Sequence, residues 1–163
     1  MSIPIVINGT IIQFPSSGQA PNYASALIQF AQAVAAALNL VVGPFDVPPQ
    51  TFVMTSNANT NVILPNLTFP PSNVQGAIIS YSVFRQTTGS GATTASETGQ
   101  LIVNYNPTFP TNEKWSITRE YVGNAFVTFS ISDVGQLEFS SSLLPGLDHT
   151  GTIVYQATAI LNG

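Results

Sequence analysis

The sequence predicts a mainly β protein: an antiparallel β-sandwich or jelly-roll head, preceded by an N-terminal hairpin arm and one short amphipathic helix. Three observations carry this expectation. Short runs rich in Val, Ile, Phe, Tyr and Thr recur after residue 50, separated by Gly, Pro, Asn and Ser, with no helix-period segment between them. A single window before residue 40 repeats apolar residues at helical spacing. The chain also carries only 3 Lys+Arg and 7 Asp+Glu among 163 residues, and no Asp, Glu, Lys, Arg or His precedes Asp46.

The first element is a hairpin over residues 3–14. Ile3 to Ile7 and Thr10 to Phe14 are apolar, β-branched runs joined by Asn8-Gly9, a dipeptide suited to the positive φ angles of a two-residue hairpin turn. Pro15 to Pro21 breaks the pattern, and Asn22 caps a helix expected over residues 22–39. Its apolar positions Tyr23, Leu27, Phe30, Val34, Ala37 and Val41 step by four, three, four, three and four, the spacing of a coiled-coil seam, with Ser25, Gln29, Gln32 and Asn39 opposite. The seam suits either of two neighbours, the chain's own sheet or copies of the same helix about a symmetry axis.

Residues 43–50, with Pro44, Pro48 and Pro49, read as a stiff connector between an arm (1–42) and a head (51–163). In the head the β-rich runs are Thr51 to Thr55, Val62 to Leu64, Ala77 to Arg85, Gln100 to Asn104, Trp115 to Val122, Phe126 to Ser132, Gln136 to Ser140 and Thr152 to Leu161. Alternation supports them: Val127, Phe129 and Ile131 take one face while Thr128, Ser130 and Ser132 take the other. Gly123-Asn124 and Val134-Gly135 are read as tight turns of a meander from Trp115 to Ser140, and Gln86 to Ser96 as a mobile surface loop.

Composition narrows the function. Charged residues make up 6% of the chain, against roughly 25% in ordinary soluble domains, so the chain is expected to finish folding against other protein. The net charge is −4, and Arg85, Lys114 and Arg119 are too few to neutralise a run of phosphates, so no direct nucleic-acid partner is expected. The absence of Cys removes disulfides, thiol nucleophiles and thiolate metal sites. No Lys or Arg opens the chain, so no signal peptide is expected, and Gln29, Gln32 and Asn39 argue against a membrane span.

No catalytic, cofactor or metal residue stands out. His149, beside Asp148, is the sole histidine and is read as stabilising a loop before the last strand. Gly89-Ser90-Gly91 lacks the Lys of a phosphate loop. Glu113-Lys114 and Arg119-Glu120 put opposite charges on opposite faces of the chain, as structural pairs or exposed groups. Arg85 is the basic residue best suited to an interface or a buried ion pair. Exposed apolar residues of the arm and seam form the expected interface: Ile3, Ile5, Ile7, Ile11, Phe14, Tyr23, Leu27, Phe30, Val34 and Val41.

Ile3-Pro4-Ile5-Val6-Ile7-Asn8-Gly9-Thr10 resembles an anchoring arm, and Gly146-Leu147-Asp148-His149-Thr150-Gly151-Thr152-Ile153-Val154-Tyr155 a closing strand, of small virion structural proteins of tailed bacteriophages. These are the fibre, capsid-decoration and collar or tail accessory proteins. The resemblance implies a non-enzymatic homo-oligomer, commonly a trimer, assembled in the host cytoplasm and attached to capsid, neck or tail subunits of the virion. Two rivals remain at this point. A receptor- or carbohydrate-binding fibre tip is motivated by Trp115, Tyr81, Tyr105 and Tyr121, whose rings could stack on sugars. A polysaccharide-degrading enzyme comes third.

Overall fold

Period-two alternation of apolar and polar residues decides the architecture of the C-terminal part of the chain. The structure, a computed structural model, describes residues 2–7, 10–15, 27–34 and 43–163, in two units, Met1–Pro44 and Phe45–Gly163. In the first unit β1 (Ser2–Ile7) pairs antiparallel with β2 (Thr10–Pro15). Ile7 opposes Thr10, leaving a two-residue connection at Asn8-Gly9, which itself lies outside the described residues. Residues 27–34 are helical (α1), the central part of the helix expected over 22–39.

The second unit holds eight strands: β3 (Val47–Met54), β4 (Asn59–Thr68), β5 (Val74–Thr88), β6 (Thr94–Tyr105), β7 (Trp115–Gly123), β8 (Val127–Ile131), β9 (Gln136–Ser141) and β10 (Leu147–Leu161). A five-stranded sheet runs β3-β10-β5-β6-β7 and a three-stranded sheet runs β4-β9-β8. Every pairing is antiparallel. The head is therefore a β-sandwich. Its outer nesting, β10 beside β3 and β9 beside β4, is that of a jelly roll, whereas β5, β6 and β7 form a meander within one sheet.

The inward face of each strand supplies the core. Ile79, Val83, Leu101 and Ile153 from the larger sheet meet Leu64, Val127, Leu137 and Phe139 from the smaller one, all buried. Rings bridge the layers, Phe52 against Phe139 at 5.5 Å and Tyr81 against Phe129 at 4.8 Å. Burying an aliphatic or aromatic side chain of this kind contributes about 1.5–3 kcal/mol.

Three expectations need correction. Val47 to Gln50, assigned to the connector, begins β3; Pro48 and Pro49 fit because β3 is an edge strand, and Pro65 likewise lies in edge strand β4. The meander from Trp115 to Ser140 does not exist as such, because β7 pairs only with β6 and the chain then crosses to the other sheet to begin β8. A turn signal marks a change of direction without choosing the partner. At that crossing Gly123 has φ +90°, and a Cβ on it would lie 2.4 Å from the Ser96 carbonyl, so a side chain is excluded. Finally, most of Gln86 to Ser96 is strand; the turn occupies residues 89–93, with Gly89 and Gly91 at positive φ.

Replacing buried Leu137 by Ala should lower unfolding stability by about 2–5 kcal/mol in urea titrations. Ile63→Ala, at a site 54% exposed on the outer face of β4, should stay within about 0.5 kcal/mol.

Candidate functional site

One end of the sandwich is organised around a buried cation. Residues Ala77, Ile79, Tyr81, Val83 and Arg85 share one parity on β5, so the alternation that buries the first four also buries Arg85, which is 0% exposed. No carboxylate lies within 4.0 Å of its guanidinium among the described residues. Nη1 donates to the carbonyls of Ala125 (2.8 Å) and Phe126 (3.4 Å). Nη2 donates to the Asn57 carbonyl, to Asn57 Oδ1 (3.0 Å) and to the Ser142 carbonyl (2.8 Å). Nε faces His149 Nε2 at 3.4 Å. Burial pushes the Arg85 pKa down, and the carbonyl dipoles keep the charge tenable.

Asn57 extends this cage, since its Nδ2 donates to the Leu144 carbonyl (2.8 Å) and its Oδ1 accepts from Leu144 N (2.9 Å). His149 belongs to an irregular stretch of β10, not to a loop before it. Its Nε2 faces a donor, which assigns the proton to Nδ1, and that buried Nδ1 has no hydrogen-bond partner among the described residues. Burial, and then the neighbouring Arg85 charge, hold its pKa below the ordinary 6.5.

A second polar cluster lies between the sheets. Glu97, 2% exposed, accepts from Tyr81 Oη (2.6 Å), from Ala125 N (3.2 Å) and from Arg119 Nη2. Arg119 also donates through Nε to Tyr81 Oη (2.9 Å) and through Nη1 to the Val127 carbonyl (2.8 Å). Burial opposes the Arg119 charge, but the bonds to Glu97 and Tyr81 outweigh it and its pKa is raised. Burial and the bond to Glu97 push the Tyr81 hydroxyl up to about 12. Arg119 thus pairs with Glu97 two strand positions beyond its neighbour Tyr121, and no sequence spacing announces that partner. The cluster links β5, β6 and β7 to β8, a structural use of the only ion pair found among the described residues.

Beside it, the open side of the sandwich between edge strands β7 and β8 forms a groove of about 340 Å³ lined by Arg119, Tyr121, Asn124, Phe126, Thr128 and Ser142, among others. Arg119 stacks 4.2 Å from the Tyr121 ring centre, which fixes a ring that is 52% exposed. Of the four aromatic residues considered for sugar stacking, Trp115 and Tyr81 are core residues, Tyr105 packs on Trp115 at 5.1 Å, and Tyr121 alone stands well out of the surface.

The expected interface residues are only partly placed. By register Ile3, Ile5 and Ile7 oppose Phe14, Ile12 and Thr10, whereas Ile11 opposes Val6 and so takes a position of the other parity. Leu27 is 56% and Phe30 37% exposed, Val34 is half-buried, and Tyr23 and Val41 lie outside the described residues. Among the described residues no group of three or more His, Cys, Asp or Glu could hold a metal ion, and no helix is long and apolar enough to cross a membrane.

No protein-family profile and no curated protein matches this sequence. Among solved structures the chain is similar to the Acinetobacter phage vB_ApiP_P1 tailspike protein, at 17% identity and TM-score 0.39, over 69% of this chain and 22% of that one. It is also similar to the Acinetobacter baumannii phage AM24 tailspike protein, at 11% identity and TM-score 0.32, over 72% of this chain and 26% of that one. This chain thus spans about a quarter of the length of either, at a likeness too loose to match residue to residue.

Arg85→Met should destabilise the head by about 3–5 kcal/mol in chemical unfolding, because the inward carbonyls lose their donors, and Arg85→Lys should not restore the fork of bonds. A histidine whose folded pKa is depressed binds its proton more readily when unfolded, so its contribution is present above pH about 6.5 and is lost as pH falls through that value. The melting temperature should therefore drop from pH 7.5 to 5, and His149→Gln should flatten that part of the profile.

Proposed function

We propose that this chain is a non-enzymatic structural protein of a bacteriophage virion, docking on the particle through its N-terminal unit and displaying the β head. The observation that supports this reading is the character of that unit. Its residues, Met1–Pro44, carry no charged side chain and include a two-stranded hairpin and a helix whose Leu27 and Ile28 are 56% and 58% exposed. A lone two-stranded hairpin is marginal in water and gains its stability by lying on another surface. Uncharged strands lose little on desolvation and offer free edges for pairing with a lattice subunit. The resemblance of Ile3 to Thr10 and of Gly146 to Tyr155 to the arm and closing strand of small phage virion proteins supports the same reading. Glu97 and Arg119 serve the packing of the head, which favours a structural role over turnover.

A second reading has one observation in its favour. The fixed, exposed Tyr121 ring beside Asn124, Thr128 and Ser142 suits a saccharide, whose apolar face stacks on an aromatic ring while its hydroxyls bond to the rim. In that reading the displayed head contacts a cell-surface glycan.

Removing residues 1–42 should leave a head that melts cooperatively yet no longer co-purifies with assembled particles; incorporation of the truncated chain at normal copy number would refute docking through the arm. Glycan-array signal lost in Tyr121→Ala would instead establish the second reading.

A further inference from the structure

The outward face of the five-stranded sheet is depleted of charge. On β3, β10, β5 and β6 its positions are Thr, Ser, Gln, Asn, Gly and Pro interspersed with exposed apolar side chains. Among these, Ile78, Phe84, Ile102 and Val154 are 41%, 42%, 40% and 44% exposed. Register sets them in two groups along β5: Ile78 opposes Ile102 near one end, and near the other Ser82 opposes both Val154 and Thr98 while Phe84 opposes Thr152. The only charges lie at its margins, Glu120 on edge strand β7 and Asp148 at the rim where it accepts from Thr88 Oγ1 (3.3 Å). Charge depletion, more than apolarity, is the compositional mark of a protein interface.

We infer that this face pairs with the same face of a second copy of the chain. The area fits. The four strands β3, β10, β5 and β6, about 4.8 Å apart, with β5 crossing the face for about 34 Å, give a footprint of about 650 Å², within the roughly 600–1,000 Å² each partner contributes to a stable pair. The relief fits as well. Ser80 and Ser82 leave a hollow of about 190 Å³ between β5 and β10, bordered by Pro49, Val154 and Gln156. Phe84 stands on the same strand about 10 Å from its centre. A two-fold axis lying in the interface, across the strands and level with Ser82, sets each Phe84 over the other copy's hollow. A self-complementary contact requires knob and hole on one surface. Electrostatics select the face, since copies of net charge −4 repel elsewhere but here approach without burying like charges. This pairing is independent of how the N-terminal unit docks, and its symmetry differs from three-fold packing about the helix seam.

The test is the mass of the full-length chain in solution by sedimentation equilibrium. A dimer is expected, and Ser82→Glu, which fills the hollow and sets an acid against the partner's Phe84, should halve the mass. Ser130→Glu, on the outer face of the other sheet, should leave the dimer intact. A monomeric or trimeric full-length chain, or a dimer that survives Ser82→Glu, overturns the inference. Should Ser82→Glu fail to fold, cross-linking decides: the chain has no cysteine, so Ser82→Cys should join copies through a short bis-maleimide. Equal cross-linking of Ser130→Cys, or none at Ser82→Cys, overturns the pairing.

Discussion

The Arg85 cage is the constraint on which the head depends. Four times the chain crosses from one sheet to the other, and three of those crossings, after β3, β7 and β9, bring backbone carbonyls to one guanidinium. Each crossing leaves ladder geometry and so has carbonyls that no strand can satisfy. One planar cation with five donors answers several of them at once. An ion pair would require a carboxylate with its own desolvation cost, whereas carbonyls are already present in the chain. His149 and Asn57 complete the enclosure, so the end of the sandwich is held by polar chemistry while its middle is held by Phe69, Leu137, Phe139 and Ile153.

How much of this was legible in the sequence depends on the range of the interaction. All eight head strands were visible because alternation is local; most were drawn too short, because Ser, Thr and Gln at strand ends carry no apolar signal, whereas the run Phe126 to Ser132 overshoots β8 at both ends. Pro48 and Pro49 argued for a connector, yet an edge strand tolerates a residue without an N–H. The burial of Arg85 was readable from its parity with Ala77 to Val83, but the identity of its partners was not, since Asn57, Ala125 and Ser142 come from distant loops. Glu97 likewise shares parity with Leu101 and Val103, and its bond to Arg119 depends on strand order.

Low charge first suggested an attachment module confined to the N-terminal residues. The structure shows a second charge-poor region, spread over strands β3, β10, β5 and β6, that is scattered along the sequence and united only by sheet order. Two of the head's charged residues, Arg85 and Glu97, are moreover withdrawn into the interior. The head's outer surface is thus poorer in charge than composition alone conveys, and hydroxyl and amide groups keep it hydrated.

The prolines on edge strands β3 and β4 have a consequence for crowding. Both sheets expose an edge on that side, and each of those edges is interrupted, by Pro48 and Pro49 in one and by Pro65 and the irregular register of β4 in the other. A ladder of heads growing edge to edge would need an unbroken row of donors on both sides of every molecule. Here one side lacks it. Many heads held at high local density would meet as separate bodies instead of fusing into a continuous fibre of sheets, which allows a repeated surface to stay dense without becoming amyloid.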